Sequence, residues 1–97
     1  MNIGICKVRF HLPEKHSLKD KRRVVKSITS RVRSKYNVSI AEVEDQDLWQ
    51  VLTLGISYVS NHSDHAHEVL SKVVDFIRST KPEAEMIDYE IEIIPAL

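Results

Sequence analysis

From Asn2 to Leu12 the chain alternates. Gly4, Cys6, Val8, Phe10 and Leu12 fall on one side, and Ile3, Ile5, Lys7, Arg9 and His11 on the other. Period two marks a strand with one better-buried face, and Pro13 stops it. Leu18, Val24, Val25, Ile28, Val32 and Tyr36 then recur at helical spacing. Ser17 is a good N-cap, Asp20 three residues on resembles a capping box, and Asn37 ends the helix. Val38 to Val43 is rich in strand formers, Glu44-Asp45-Gln46-Asp47 is a turn, and Trp49 to Val59 is a second long β run. Asn61-His62-Ser63-Asp64 reads as a turn and cap. Ala66, Val69, Leu70, Val73, Val74 and Ile77 mark a second amphipathic helix, with Pro82 beyond its end. Met86 to Ile94 alternates again, with Ile87, Tyr89, Ile91 and Ile93 set against Asp88, Glu90 and Glu92.

The order β-α-β-β-α-β within 97 residues predicts one α+β domain over 1–97. It is the ferredoxin-like split βαβ pattern: a four-stranded antiparallel sheet with two helices on one face and the other face open. That fold carries the strand order 4-1-3-2. Lys7 and Arg9 then sit across from Asp88, Glu90 and Glu92, where opposite charges add roughly 0.2–1 kcal/mol a pair.

Composition changes this picture little; charge changes it more. No apolar run approaches the ~20 residues of a membrane span. The start reads as a strand rather than a signal peptide, and a single cysteine makes no internal disulfide. The expected location is cytoplasmic, with no membrane partner. Net charge is zero, yet residues 1–36 hold 11 Lys+Arg against two acids, a net +9, and residues 37–97 hold three against 12, a net −9.

Much of the positive charge crowds the first turns of helix 1. With residues placed about 100° apart, Lys19, Arg22, Arg23, Lys26 and Arg33 form a stripe beside the apolar face. Lys21 falls near the middle of the apolar arc, where its stem is expected to pack and its ammonium to snorkel past the sheet end. Cations at a helix N-terminus oppose the macrodipole, costing a few tenths to ~1 kcal/mol each. A local rule broken without structural gain points to function. Several cations beside the N–H groups of a helix start describe an anion site, and phosphate is the obvious anion. A solvated charged face is the plainer alternative. Lys19, Lys21, Arg22, Arg23, Lys26 and Arg33 are therefore the expected contacts to an RNA backbone.

At the level of motifs, "HSLKDKRRVVKSI", "YNVSIAEVEDQDLWQ" and "LGISYVSN" together resemble the YlxP-like family of small bacterial proteins of unknown function. Ser17, Leu18, Lys19, Lys21 and Arg22, and then Asn37, Val38, Ser39 and Glu42, match its pattern. The resemblance implies a ferredoxin-like fold. Genes of this family often lie beside those for translation initiation and ribosome maturation, which implies a role near RNA or the ribosome. It supplies no catalytic residues, and the His-rich turn before helix 2 stands outside its pattern.

Other groups promise less. His62, His65 and His67 lack the i, i+3 or i+4 spacing of a metal site once His62 sits in a turn. Glu42, Glu44, Asp45 and Asp47 lack the spacing of a calcium loop and read as a solvated hairpin turn, although Glu42 lies inside a strand. Cys6 alternates with core residues and has no base beside it. Trp49 either packs beneath a helix or offers a stacking platform. No phosphate loop, nucleophile elbow or zinc spacing occurs, so no metal or cofactor is expected, and a small enzyme using the acidic cluster is the reading with least support. The open face of strand 1 has no aromatic, unlike RNA-recognition sheets, so RNA would be met by helix 1 through its backbone. The alternative partner is a second copy, pairing through the open sheet face at Ile3, Ile5, Val51 and Ile94.

Overall fold

In a computed structural model, which describes residues 1–13, 17–80 and 82–97, the six elements follow in the expected order. They are β1 (Asn2–His11), α1 (Leu18–Lys35), β2 (Ser39–Glu44), β3 (Val51–Ser60), α2 (Ser63–Ser79) and β4 (Glu85–Pro95). The sheet is fully antiparallel in the order β2-β3-β1-β4, which is the ferredoxin-like α+β arrangement. No described helix is long and apolar enough to cross a membrane.

The alternation in β1 becomes the division between core and open face. Cys6, Val8, Phe10 and, just beyond the strand, Leu12 join Leu52, Leu54 and Ile56 of β3 beneath the helices. Val24, Ile28 and Val32 come down from α1, and Leu70, Val73, Val74 and Ile77 from α2, closing a single core. Gly4 lets α2 approach β1. A Cβ there would meet Leu70 Cδ1 at 2.7 Å and Ala66 Cβ at 3.4 Å.

The helix ends follow local rules. The Ser17 hydroxyl accepts the Asp20 N–H at 3.2 Å, capping α1, and Asp20 is the acid of the first turn. At its other end α1 stops one residue early: Tyr36, not Asn37, is the C-cap. Helix α2 starts sooner than its turn residues suggested, at Ser63, with His62 as an N-cap residue that makes no side-chain cap bond.

Two bulges correct the simple alternation. In β4 the register passes from Arg9↔Asp88 to Phe10↔Met86, so Ile87 is the extra residue. Met86 packs against the core where Ile87 was expected, and Ile87 is exposed. In β2 the register passes from Glu42↔Leu54 to Glu44↔Thr53, so Val43 is extra. The space for Val43 comes from Gly55, whose Cβ, if present, would lie 2.7 Å from Val43 Cγ1. Trp49 also departs from expectation: it is half-buried in the turn before β3 rather than in the strand.

The two glycines should respond differently to the same added methyl. Gly4→Ala pushes into Leu70, which is fully buried and cannot yield, and is expected to cost about 1–3 kcal/mol in urea unfolding. Gly55→Ala pushes against Val43, which is half exposed and can turn away, and is expected to cost less than about 1 kcal/mol.

Candidate nucleic-acid interface

The buried end of Lys21 organises the first turns of α1. The residue is 1% exposed. Its Nζ donates to the Asp45 carbonyl at 2.6 Å and to the Leu48 carbonyl at 2.7 Å, and lies 2.6 Å from Glu42 Oε2. An ammonium has three donors, and this one has three oxygens around it. Glu42 Oε2 is sealed from solvent and takes no other bond among the described residues, so the lysine charge is what compensates it. Asp45, at φ 55°, holds the left-handed conformation that Asp tolerates and turns its carbonyl to both Lys21 Nζ and the Leu48 N–H.

This corrects the expectation for Lys21. Its ammonium does not snorkel out but is spent inside, pinning the β2–β3 turn to α1, and it drops out of the expected phosphate contacts. Arg33 is also engaged: its Nη2 donates to the Ile40 carbonyl of β2 at 2.7 Å, although the residue as a whole remains exposed. That bond ties the last turns of α1 to β2, an outer strand of the sheet. Lys19, Arg22, Arg23 and Lys26 are all exposed on α1, with Arg23 bordering the segment of Pro82 and Glu83 before β4.

The remaining cations separate into two groups. Lys7 pairs with Glu44 at 2.6 Å, although its register partner on β4 is Glu90. Arg9 pairs with Asp88 at 3.3 Å, as the strand order implied. Lys72 pairs with Glu68 and Arg78 with Asp75, while Lys35 Nζ sits 4.7 Å from the Phe76 ring centre. Among the described residues, the cations with no such partner are Lys19, Arg22, Arg23, Lys26 and Arg31, and all five lie on α1.

Elsewhere the chemistry is quiet. Burial, aided by the charge of Glu90, pushes the Cys6 thiol up to about 11, so it stays protonated and unreactive at neutral pH. The hydrogen bond from Lys7, with its charge, holds Glu44 below the usual carboxylate range. His65 Nε2 lies 3.1 Å from the Tyr58 hydroxyl, and no group of three or more His, Cys, Asp or Glu among the described residues is arranged to hold a metal ion.

On the open face, the registers gather Ile3, Ile5, Val59 and Ile94 at one end and the Lys7 and Arg9 ion pairs at the other. A hollow of about 730 Å³ lies between, floored by the small residues Ala41, Gly55 and Ser57. Thr53, fully buried between Arg9 and Glu44 in register, has a hydroxyl that makes no hydrogen bond to any described residue.

Comparison with known proteins follows the same lines. Residues 3–91 match the family described as "Protein of unknown function (DUF503)". The chain belongs to this family. A relative from Bacillus subtilis (strain 168), "Uncharacterized protein YlxP", is 41% identical over 83 residues, covering 86% of this chain and 89% of its own. The likeness to the YlxP-like family therefore holds along nearly the whole chain. Among solved structures, the "De novo designed protein Foldit4" superposes over 100% of both chains with a TM-score of 0.55 at 12% identity, a likeness of fold alone.

Removing the Lys21 ammonium should expose how much rests on it. Lys21→Met leaves Glu42 and two carbonyls without their partner, and is expected to cost about 3–5 kcal/mol in chemical denaturation. Glu42→Gln keeps an acceptor oxygen and leaves both carbonyl bonds in place, so it should cost clearly less.

Proposed function

We propose that this family member binds the phosphate backbone of RNA, without catalysis, through the outer side of α1. The observation that carries the reading is the segregation of unengaged charge. Cations on the sheet and on α2 are neutralised by acids, whereas Lys19, Arg22, Arg23 and Lys26 stand exposed together on one side of one helix. Three of the four lie within the first two turns, where they oppose the helix dipole. Such a patch attracts a polyanion and positions it without reading its sequence. A role near the ribosome, which the family resemblance implies, agrees with this chemistry.

A second reading concerns the open face, where a specific observation favours a second copy of the chain. Ile5, Val43, Val59 and Ile94 are exposed there around the small-residue hollow, while Lys7 and Arg9 are paired with Glu44 and Asp88 beside it. The four strands span roughly 19 Å by 33 Å, or about 600 Å², below the ~800 Å² that each partner of a standard interface contributes. On this reading Ile5→Glu breaks a dimer. Sedimentation at micromolar concentration should then give about twice the 11.2 kDa chain mass for the parent and the chain mass for the variant. A parent that runs only at the chain mass removes the dimer.

The RNA reading is tested by salt titration. Four phosphate contacts imply a log–log slope of about −2.8 on single strands, from about −0.7 per phosphate. Arg22→Gln with Arg23→Gln should flatten it by about 1.4 and weaken binding to every sequence alike. The same variant should melt no lower than the parent, because it removes cations from the positive end of the dipole. An unchanged slope makes the stripe a solvated face.

A further inference from the structure

Where α1 ends, its basic side runs into a groove of about 580 Å³ along the start of β2, lined by Arg33, Asn37, Val38, Ser39, Ser57 and Tyr58. It is a shallow, open depression rather than an enclosed cavity. Arg33 stands on its wall, with one Nη2 bond to the Ile40 carbonyl fixing the guanidinium while its other N–H groups have no partner among the described residues. A planar cation held this way can stack on a base or fork a phosphate, which a lysine ammonium cannot do. The Asn37 amide likewise makes no hydrogen bond to a described residue, whereas Ser39 and Ser57, opposite each other in register, lie on the open-face side of the sheet, where they also line the hollow. A carboxamide such as that of Asn37 pairs with ribose hydroxyls and base edges. Val38 and Tyr58, both half-buried, add apolar surface for a ring.

We propose that this groove seats one unpaired nucleotide of a single-stranded RNA whose backbone passes along the α1 stripe; the inference rests on the RNA-backbone reading above. The two sites are continuous. Arg33 lies two turns beyond Lys26 on the same side of the helix, about 10 Å along its axis. A peptide strand added at the β2 edge is the less suited occupant. That edge is six residues long, bulged at Val43, and its Ile40 carbonyl is already taken by Arg33.

The test is an NMR titration of the full chain with uridine 5′-monophosphate. Saturable shifts at Arg33, Asn37, Ser39 and Tyr58 are expected, equal in the parent and in the Arg22→Gln/Arg23→Gln variant. Arg33→Lys, which keeps the charge on an exposed site, should weaken the titration at least threefold without lowering the melting temperature. Three results overturn the proposal: no saturable shift in the groove, the same shifts with inorganic phosphate alone, or an Arg33→Lys variant that binds like the parent. If the groove shows no nucleotide while RNA still binds with a steep salt dependence, the groove fails and the stripe stands. If RNA does not bind at all, the stripe reading has failed first.

Discussion

The ammonium of Lys21 is the constraint on which the helix-side architecture depends. Charge is expensive to bury, and the cost is met here only because three oxygens converge from three positions on β2 and its turn. The convergence works in one arrangement only. The turn must carry Asp45 in its left-handed conformation, β2 must present Glu42 inward, and α1 must begin at the height that brings Lys21 level with both. A hydrophobic residue at the same place would tolerate sliding; the ion pair does not. The first turns of α1, where the exposed cations stand, are thereby held to the sheet by a polar anchor as well as by the apolar contacts of Val24, Ile28 and Val32.

The fold was legible because its signals are repetitive. Alternation in β1 and helical spacing in α1 and α2 each repeat over several turns or pleats, so single exceptions do not erase them. The bulges were not legible. Ile87 looks like the inward member of an alternating run, and only pairing with β1 reveals that Met86 takes its place. Val43 is similar: its displacement depends on the missing side chain of Gly55 on the neighbouring strand, a relation that no local pattern contains.

The candidate interface was legible in part. The stripe of Lys19, Arg22, Arg23 and Lys26 follows from helix geometry and lies exposed as expected. Lys21 was misplaced although its position on the helix was read correctly. It falls amid the apolar arc, and Glu42 falls inside a strand. Each stands out on its own element, and no local pattern joins them. Two opposite charges at inward positions on elements that pack together should be read as partners before either is sent to solvent. For Arg33 the stripe gave the right side of the helix, while its bond to a backbone carbonyl of β2 had no sequence signal at all.

The bulge at Val43 has a consequence for parity. In an unbroken strand, residues 42 and 44 point the same way, and both carboxylates would be driven beneath α1 toward a single ammonium. One additional residue between them reverses the count. Glu42 stays inside with Lys21, and Glu44 emerges on the far side of the sheet beside Lys7. Two neighbouring acids thus serve opposite surfaces, and the electrostatic balance of each surface is a matter of odd and even. A length change of one residue between Ile40 and Glu44 would leave every side chain chemically intact and still strand a carboxylate against the core.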